Sequence, residues 1–416
     1  MPRAPALPPV NPFRIGGVVS DAFFTNRADE LRRIEKALLS PGDKLLVFGP
    51  RRMGKSSTLD RAIANVSARK GVAFRADLSG ATTVTDIANR ILQAASRAMG
   101  RRWQDVLAGF LKTLTLKVNL SLDPATGLAL PSLSLEGRTD ALEEQRASLA
   151  RVLDSIDQLA AQRKARVGIV LDEFQTISRF GGEGAEWHLR GIIERHQHVA
   201  YVGAGSELSL LAAMKGEGRA FYKLFREMHL GPIDPDHMAR WIDERLSSAG
   251  VPPHGIGEHV VATAGPRTRD IVELARTVYD VAAPVGHVGD STLDDALQEL
   301  LDTYGESFRR QWEDLPPSQQ NVLRAVATGE PQLYGRPSLM RFGVRSSAEA
   351  AQAVEWLAKR EILTRDGKVV GFDNPFFQAW VAEYALPDVG ILDSTREIVQ
   401  RLQGPPPGEP KPGPKR

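Results

Sequence analysis

One short segment constrains the fold of this chain more than any other. It is the run GPRRMGKSS at residues 49–57, which fits the pattern G-x-x-x-x-G-K-[ST] in full. The apolar run KLLVFG precedes it, and a helical pattern from Ser57 to Ala68 follows it. A buried strand, a glycine-rich turn and a helix in this order predict a loop that binds phosphate groups.

The residue types of this segment indicate what the loop can do. Glycines permit a tight turn in which backbone N–H groups point at phosphate oxygens, and the helix N-terminus adds partial positive charge. Lys55 would place a full charge near the β- and γ-phosphates, and Ser56 would offer its hydroxyl to Mg²⁺. We expect the nucleotide phosphates to contact Gly49, Pro50, Arg51, Arg52, Met53, Gly54, Lys55, Ser56 and Ser57.

A second segment, VGIVLDE at residues 167–173, is an apolar run that ends in two carboxylates. Asp172 is predicted to hold Mg²⁺, directly or through water, and Glu173 to polarise the attacking water. The same pair could instead cap the helix that follows. Because the segment lies downstream of a phosphate-binding loop, with an inserted hairpin to account for the long separation, the sequence favours the catalytic interpretation.

Composition excludes several other classes of protein. The chain contains no cysteine, which rules out disulfides, thiolate metal sites and a cysteine nucleophile. A net charge of +2 argues against binding nucleic acid by charge alone. No apolar run approaches the length of a membrane-spanning helix, so no membrane partner is expected, and a cytoplasmic location is the default expectation.

The order of patterns along the chain predicts an α/β fold. Strands alternate with helices up to about residue 233, which predicts a parallel sheet with helices on both faces. Alternating leucines at about 112–137, with the turn DPATG between them, predict an inserted β-hairpin. We expect a flexible N-terminus, an α/β domain, a helical domain, a compact domain of helices and a hairpin, and a helix with a proline-rich disordered tail, at residues 1–12, 13–233, 234–312, 313–388 and 389–416.

Together these features resemble the AAA-type and STAND-type P-loop ATPases, in particular the bacterial and archaeal ATPases with a C-terminal winged helix. The resemblance extends over roughly residues 11–385 and is carried mainly by the phosphate-binding loop and by the strand ending at Asp172 and Glu173, which resembles a Walker B motif. It implies a P-loop NTPase fold with a helical lid at 234–312 and a winged helix at 313–388. It also implies ATP and Mg²⁺ as cofactors, and an ATPase that is slow without an activator.

The resemblance implies that two further residues, Arg27 and Ser206, lie near the nucleotide. The segment FFTNRADEL is similar to the family's upstream motif and would bring Arg27 near the nucleotide, although Asn26 replaces the usual glycine and could simply cap a helix. The strand Val199–Gly203, followed by AGSE, resembles the family's sensor strand and would place Ser206 near the γ-phosphate. An ordinary helix-capping serine is the alternative.

The resemblance also implies functional arginines. The segment GRAFYKLFREMHLGPI offers Arg219 and Arg226 as candidates for an arginine finger, acting within the subunit or across a subunit boundary, with Arg226 preferred. Either could instead be a surface arginine paired with a carboxylate. In TAGPRTRDIVELA, Arg267 matches the position of a second γ-phosphate sensor, although proline and arginine at this place also suit an ordinary helix start.

The expected recognition helix of the winged helix, SSAEAAQAVEWLAKR, has no basic residue before Lys359. DNA is therefore a possible but not a favoured partner, although Arg336, Arg341 and Arg345 could contact phosphates. We expect an ATP-hydrolysing molecular switch whose nucleotide state rearranges the lid and the winged helix for a protein partner or a second copy of the chain. The alternatives are a DNA-binding loader or regulator, and a nucleotide-binding scaffold that does not hydrolyse ATP.

Overall fold

A computed structural model of the protein describes residues 10–16, 23–99, 117–122, 129–134, 142–206, 218–367 and 369–386. The chain divides into two compact units. The α/β unit comprises residues 18–20 and 26–231, and the helical unit comprises residues 1–17, 21–25 and 232–416. The predicted tail at 389–416 lies outside the described residues.

The α/β unit is built on a parallel sheet of five strands in the order β2-β5-β6-β1-β7. Two further strands, β3 and β4, pair antiparallel as a separate hairpin. The predicted α/β fold with an inserted hairpin is thereby confirmed. The strands are β1 Lys44–Gly49, β2 Val72–Asp77, β3 Lys117–Leu122, β4 Ala129–Ser134, β5 Val167–Asp172, β6 Val199–Ser206 and β7 Arg226–His229.

Helices cover both faces of this sheet, which explains why its inner strands β1, β5 and β6 are mainly continuous apolar runs rather than alternating ones. In β1, Leu45 and Val47 pack on one face with α1 and α2, and Leu46 and Phe48 pack on the opposite face with the other helices. The helices are α1 Ala28–Leu38, α2 Lys55–Ala68, α3 Val84–Met99, α4 Leu142–Arg163 and α5 Ile177–Arg195, with a 3₁₀ turn at Phe174–Thr176.

The helical unit packs around one hydrophobic core, to which Phe13 near the N-terminus also belongs. Asn11, within the segment predicted to be flexible, donates a hydrogen bond to the backbone oxygen of Arg276 at 3.0 Å. The elements are α6 Pro235–Ser248, α7 Ile256–Ala264, α8 Thr268–Ala282, α9 Thr292–Glu313, α10 Pro317–Ala327, α11 Arg336–Arg341, α12 Ser347–Lys359, β8 Leu363–Asp366, β9 Val369–Phe372 and α13 Pro375–Tyr384.

The division of this unit into a lid and a winged helix stays a prediction, because one core cluster extends from Met238 to Leu386. Several of its helix starts follow simple capping chemistry. The Asp234 side chain accepts from the N–H of His237 at 2.8 Å, with proline at the next position. Among the described helices, none combines the length and the apolar character that crossing a bilayer requires.

A buried polar network joins α4, the end of α5 and the start of β6. His196 is 4% exposed, and its ring nitrogens lie 2.7 Å from the hydroxyl of Tyr201 and 2.8 Å from a carboxylate oxygen of Asp154. Burial alone would raise the pKa of Asp154, but hydrogen bonds from His196 and Arg195 lower it below the usual value. Burial raises the pKa of Tyr201 well above its ordinary value, so its hydroxyl stays protonated.

We predict that His196→Ala destabilises the protein, because it leaves the Tyr201 hydroxyl and the Asp154 carboxylate without their shared partner. The expected loss is about 2–3 kcal/mol of unfolding free energy near neutral pH, measured by denaturant titration. His198→Ala is the control, since that side chain is 51% exposed and pairs with Asp157 at 3.2 Å. It should cost less than about 1 kcal/mol, and equal losses for the two variants would contradict the prediction.

The same network predicts a pH dependence. Because the pKa of Asp154 is depressed in the folded protein, its stabilising contribution is complete above the unfolded value of about 3.9 and is lost as the pH falls through the lower folded value. The stability difference between parent and His196→Ala should therefore shrink in strong acid.

Candidate functional site

Four neighbouring strands, β2, β5, β6 and β1, bring their carboxyl ends to one edge of the sheet. The strand register pairs Gly49 with Ser206, Leu171 with Gly203, and Asp77 with Asp172. Ligands of parallel α/β sheets bind outside this edge. Residues that the sequence singled out in separate segments, including Gly49, Asp172 and Ser206, therefore lie at one end of the same sheet.

Two glycines shape the loop between β1 and α2. A Cβ at Gly49 would lie 2.3 Å from the backbone oxygen of Leu230, a distance that no side chain tolerates. Gly54 caps α2 in the left-handed conformation, with φ 83°, which glycine adopts without steric cost. Both positions of the motif are thus required by close approach or by backbone conformation.

Lys55 begins α2 and turns its side chain into the loop. Its Nζ donates to the backbone oxygens of Gly49 and Pro50, both at 2.7 Å, and the residue is 8% exposed. The first turn of α2, which begins at Lys55, adds backbone N–H groups that have no acceptor within the helix. The loop therefore concentrates positive charge and N–H donors at one place, as an anion site does.

Ser56 and Asp172 are in direct contact. The Ser56 hydroxyl donates to Oδ2 of Asp172 at 3.1 Å, although the two residues are 116 positions apart in the chain. Oδ1 of the same carboxylate accepts from the N–H of Glu173 at 3.1 Å. Two oxygen donors side by side fit a hard cation such as Mg²⁺. In the described part of the chain, no three His, Cys, Asp or Glu side chains form a metal cluster, so phosphate oxygens would have to supply further ligands.

Arg75 is a site residue that the sequence reasoning missed. Its Nη1 donates to Oδ2 of Asp172 at 3.0 Å, and its Nε and Nη2 donate to the two carboxylate oxygens of Asp60 at 2.7 and 2.8 Å. Burial alone would lower the pKa of Arg75, but Asp60 and Asp172 raise it, so the guanidinium stays charged. The signal in the sequence was a single arginine within the otherwise mainly apolar strand VAFRAD.

Glu173 has an uncommon backbone conformation for a residue with a side chain. Its φ of 52° and ψ of 45° are left-handed, and it caps the short turn at Phe174–Thr176. The side chain of Gln175 donates a short hydrogen bond to Oε2 of Glu173. Gln175 is 7% exposed, and its own Oε1 has no hydrogen-bond partner among the described residues. The sequence reasoning named Glu173 but not the glutamine that holds its carboxylate.

Arg27 contacts the phosphate-binding loop directly. It is 4% exposed, and its Nη2 donates to the backbone oxygens of Met53 at 3.1 Å and Gly231 at 2.7 Å. Its own backbone is left-handed, with φ 74°, and the Asn26 side chain accepts its N–H at 2.8 Å. Arg27 itself is the N-cap residue of α1, so the hydrogen bond between its N–H and the Asn26 side chain precedes the helix and does not cap it.

The two candidate arginine fingers make ion pairs elsewhere. Arg226 pairs in register with Leu45, about 13 Å along the strand from Gly49 and towards the opposite end of the sheet. It is 64% exposed and forms an ion pair with Asp43. Arg219 lies 3.1 Å from Glu183, a carboxylate on α5. The structure therefore does not bring Arg226 to the loop of its own chain.

Arg267 lies in the helical unit, immediately before α8. It donates to both carboxylate oxygens and to the backbone oxygen of Asp373, which follows β9. Burial alone would lower the pKa of Arg267, but Asp373 raises it. A buried fork of this kind fixes the start of α8 against the end of the hairpin; a role for Arg267 at the nucleotide stays a prediction.

A glycine-shaped loop, a lysine within it and a serine–aspartate pair beside it are the features of a P-loop nucleotide-binding protein. The sequence of residues 24–231 matches a family described as an ATPase domain predominantly from Archaea. Since the match covers half of the chain, the protein belongs to this family. A comparison with curated protein sequences found no match.

Among solved structures, a Walker-type ATPase of Pyrococcus abyssi is similar, with a TM-score of 0.58 and 18% identity over 89% of this chain and 99% of that chain. This likeness shows the fold alone. The Orc1 protein of Aeropyrum pernix in complex with DNA matches at a TM-score of 0.46 and 17% identity, over 86% of this chain and 93% of that chain. That similarity is too low to support any conclusion about function.

We predict that Gly49→Ala strongly destabilises the protein, because its Cβ would overlap the backbone oxygen of Leu230. The expected loss is about 2 kcal/mol or more, measured by thermal or denaturant unfolding. Gly191→Ala is the control, since a Cβ at this position in α5 meets nothing within 4 Å. It should be neutral or stabilise by about 0.5–1 kcal/mol. Similar losses in both variants would contradict the prediction.

Proposed function

We propose that the protein is an ATP-binding and ATP-hydrolysing molecular switch. The observation that carries the proposal is the contact between Ser56 and Asp172 beside the loop that holds Lys55. Membership of an ATPase family and the P-loop fold support the same conclusion. A buried ammonium, a hydroxyl and a carboxylate at the carboxyl edge of a parallel sheet are the groups that bind a nucleoside triphosphate and its metal ion.

The residues at the loop fit both cofactors. The backbone amides between Gly49 and Ser57 and the ammonium of Lys55 would bind the phosphates. Ser56 and Asp172 would hold the metal, which matches the preference of Mg²⁺ for one or two protein ligands completed by phosphate oxygens and water. When bound, the magnesium ion supplies charge neutralisation on the phosphate oxygens.

Glu173 is the proposed general base that orients the attacking water. Glu173 directly follows β5 with a left-handed backbone, and the side chain of Gln175 donates a hydrogen bond to one of its carboxylate oxygens. Such positioning matters because phosphoryl transfer depends on orientation and on charge stabilisation more than on covalent chemistry. Ser206 is buried at the end of β6 and lies level with Gly49, and we propose that it lies near the γ-phosphate.

The proposed switch works through the helical unit. Because Arg267 is tied to Asp373, α8 and the hairpin β8–β9 are expected to move together when the nucleotide state changes. The proposed partner is another protein or a second copy of this chain. Arg226 lies towards the far end of its own sheet, so as an arginine finger it would have to serve the site of a neighbouring subunit.

We predict different effects for two variants of the site. Lys55→Ala should weaken ATP binding at least tenfold, because it removes the charge that faces the phosphates. Glu173→Gln should bind ATP within about threefold of the parent and turn it over at least 100-fold more slowly, because the neutral side chain cannot accept a proton. Fluorescent-nucleotide titration and steady-state phosphate release measure the two effects.

Two exposed residues provide matched controls, Lys36→Ala on α1 and Glu143→Gln on α4. Both should bind and hydrolyse ATP as the parent does. A parent that binds ATP but shows no turnover with any protein fraction or self-assembled form would favour the scaffold over the switch. A parent that fails to bind ATP would contradict the proposal as a whole.

The alternative function is that of a loader or regulator that binds duplex DNA. The first turn of α12 presents Glu349, whose carboxylate accepts the N–H of Arg345, and the helix is capped by Ser346. A carboxylate at this position repels DNA phosphates. We therefore predict weak, nearly salt-independent binding of duplex DNA in an anisotropy titration. Tight binding with a logarithmic salt slope of about −5 or steeper would instead support a DNA loader.

A further inference from the structure

Asp172 has one more partner than its proposed role as a metal ligand requires. Its Oδ2 accepts the Ser56 hydroxyl at 3.1 Å and also the Nη1 of Arg75 at 3.0 Å. The Asp172 side chain is 6% exposed, so water screens this charge interaction only weakly. The guanidinium group of Arg75 is therefore hydrogen-bonded to the same carboxylate oxygen that accepts the Ser56 hydroxyl.

The position of Arg75 on its strand explains how it reaches this oxygen. On β2, Ala73 packs on the face of the sheet that α2 covers, and Arg75 lies two residues further along on that face. Asp60 on α2 faces it there. The β2–β5 register sets Arg75 beside Val170, two residues before Asp172. The side chain thus spans from the helix after the phosphate-binding loop to the end of β5.

Asp60 binds Arg75 by the more complete of the two contacts. It accepts both Nε and Nη2 through its two oxygens, at 2.7 and 2.8 Å, in the bidentate geometry that suits a guanidinium. Asp172 receives one N–H group through one oxygen. If Arg75 served only to tie β2 to α2, the fork with Asp60 would suffice, and the third contact would add nothing.

A divalent cation and Arg75 cannot both bind this oxygen at full strength. Mg²⁺ binds carboxylate oxygens at about 2.1 Å, and a guanidinium group 3.0 Å from the same Oδ2 would repel it. We propose that Arg75 is a resident counter-cation that competes with the metal ion for Asp172, and that Asp60 is the carboxylate that draws it away. The Arg75–Asp60 pair then sets the metal affinity of the nucleotide site.

This inference rests on the proposed function and deepens it, because it concerns the metal of the same site. Arg75 is a positioning residue that acts through Asp172. Before the metal binds, Arg75 neutralises the buried carboxylate; when the metal binds, Nη1 leaves Oδ2 while the fork to Asp60 remains. The site should therefore bind nucleotide with a weaker preference for the metal-bound form than its carboxylate and hydroxyl alone would give.

The test measures the affinity of Mn²⁺, as a paramagnetic substitute for Mg²⁺, for the full-length protein saturated with ADP. Arg75→Gln should bind Mn²⁺ at least tenfold more tightly than the parent, because the competing charge is gone. Asp60→Asn should bind it about threefold to tenfold more weakly, because Arg75 is then held by Asp172 more strongly. In the double variant, Asp60→Asn should change the affinity by less than about threefold relative to Arg75→Gln.

The opposite signs of the two single variants separate competition from a structural role. If Arg75 only ties β2 to α2, both variants should lower the melting temperature and both should weaken Mn²⁺ binding, which would overturn the proposal. An unchanged Mn²⁺ affinity in Arg75→Gln, with a parent that binds ADP and Mn²⁺, would also overturn it and leave the proposed function intact.

Two further results keep the test decisive. If Arg75→Gln does not fold, as circular dichroism would show, Asp60→Asn decides together with its melting temperature. Weaker Mn²⁺ binding at an unchanged melting temperature supports competition, whereas weaker binding with a lowered melting temperature, or unchanged or tighter binding, overturns it. A parent that binds neither ADP nor Mn²⁺ would instead overturn the proposed function and this inference with it.

Discussion

The register of the parallel strands is the constraint on which the candidate site depends. Gly49 lies level with Ser206, and Asp77 lies level with Asp172, because the strands pair in one particular alignment. A slip of one residue would exchange the side chains that face the two helical layers, each of which is tightly packed. The geometry of the site is therefore fixed by the packing of apolar residues on both faces of the sheet.

Much of the fold and part of the site could be predicted because the information is local. The phosphate-binding loop occupies nine consecutive residues, and the strand before it and the helix after it are readable from hydrophobic pattern alone. The two carboxylates at the end of β5, Asp172 and Glu173, were likewise predicted from the apolar run that precedes them. The inserted hairpin was recognisable because apolar and polar residues alternate along β3 and the turn DPATG follows it.

What could not be predicted lies in contacts between distant positions. Nothing in the sequence pairs Arg75 with Asp172 or Arg267 with Asp373, since such pairs depend on strand order and on helix packing. The placement of Arg226 depended on where β7 begins. Arg226 is the first residue of β7, and strand pairing sets it level with Leu45, towards the amino end of β1.

Two buried arginines, Arg27 and Arg267, and the partly buried Arg75 have similar hydrogen-bond partners. Arg27, Arg75 and Arg267 each donate to a carboxylate and, in two cases, also to backbone oxygens. Buried ion pairs contribute little net stability, because removing both charges from water costs about as much as their attraction returns. Their value here is geometric: a planar donor fork holds each partner at a set distance and angle.

Arg27 binds two backbone carbonyls from separate parts of the chain through one nitrogen. One nitrogen, Nη2, bridges the carbonyl of Met53 within the phosphate-binding loop and the carbonyl of Gly231, the last residue before the chain passes into the helical unit. A displacement of Gly231 must therefore stretch its hydrogen bond to Arg27 or shift Arg27 relative to the carbonyl of Met53. One guanidinium nitrogen thus links the conformation of the phosphate-binding loop to the position of Gly231.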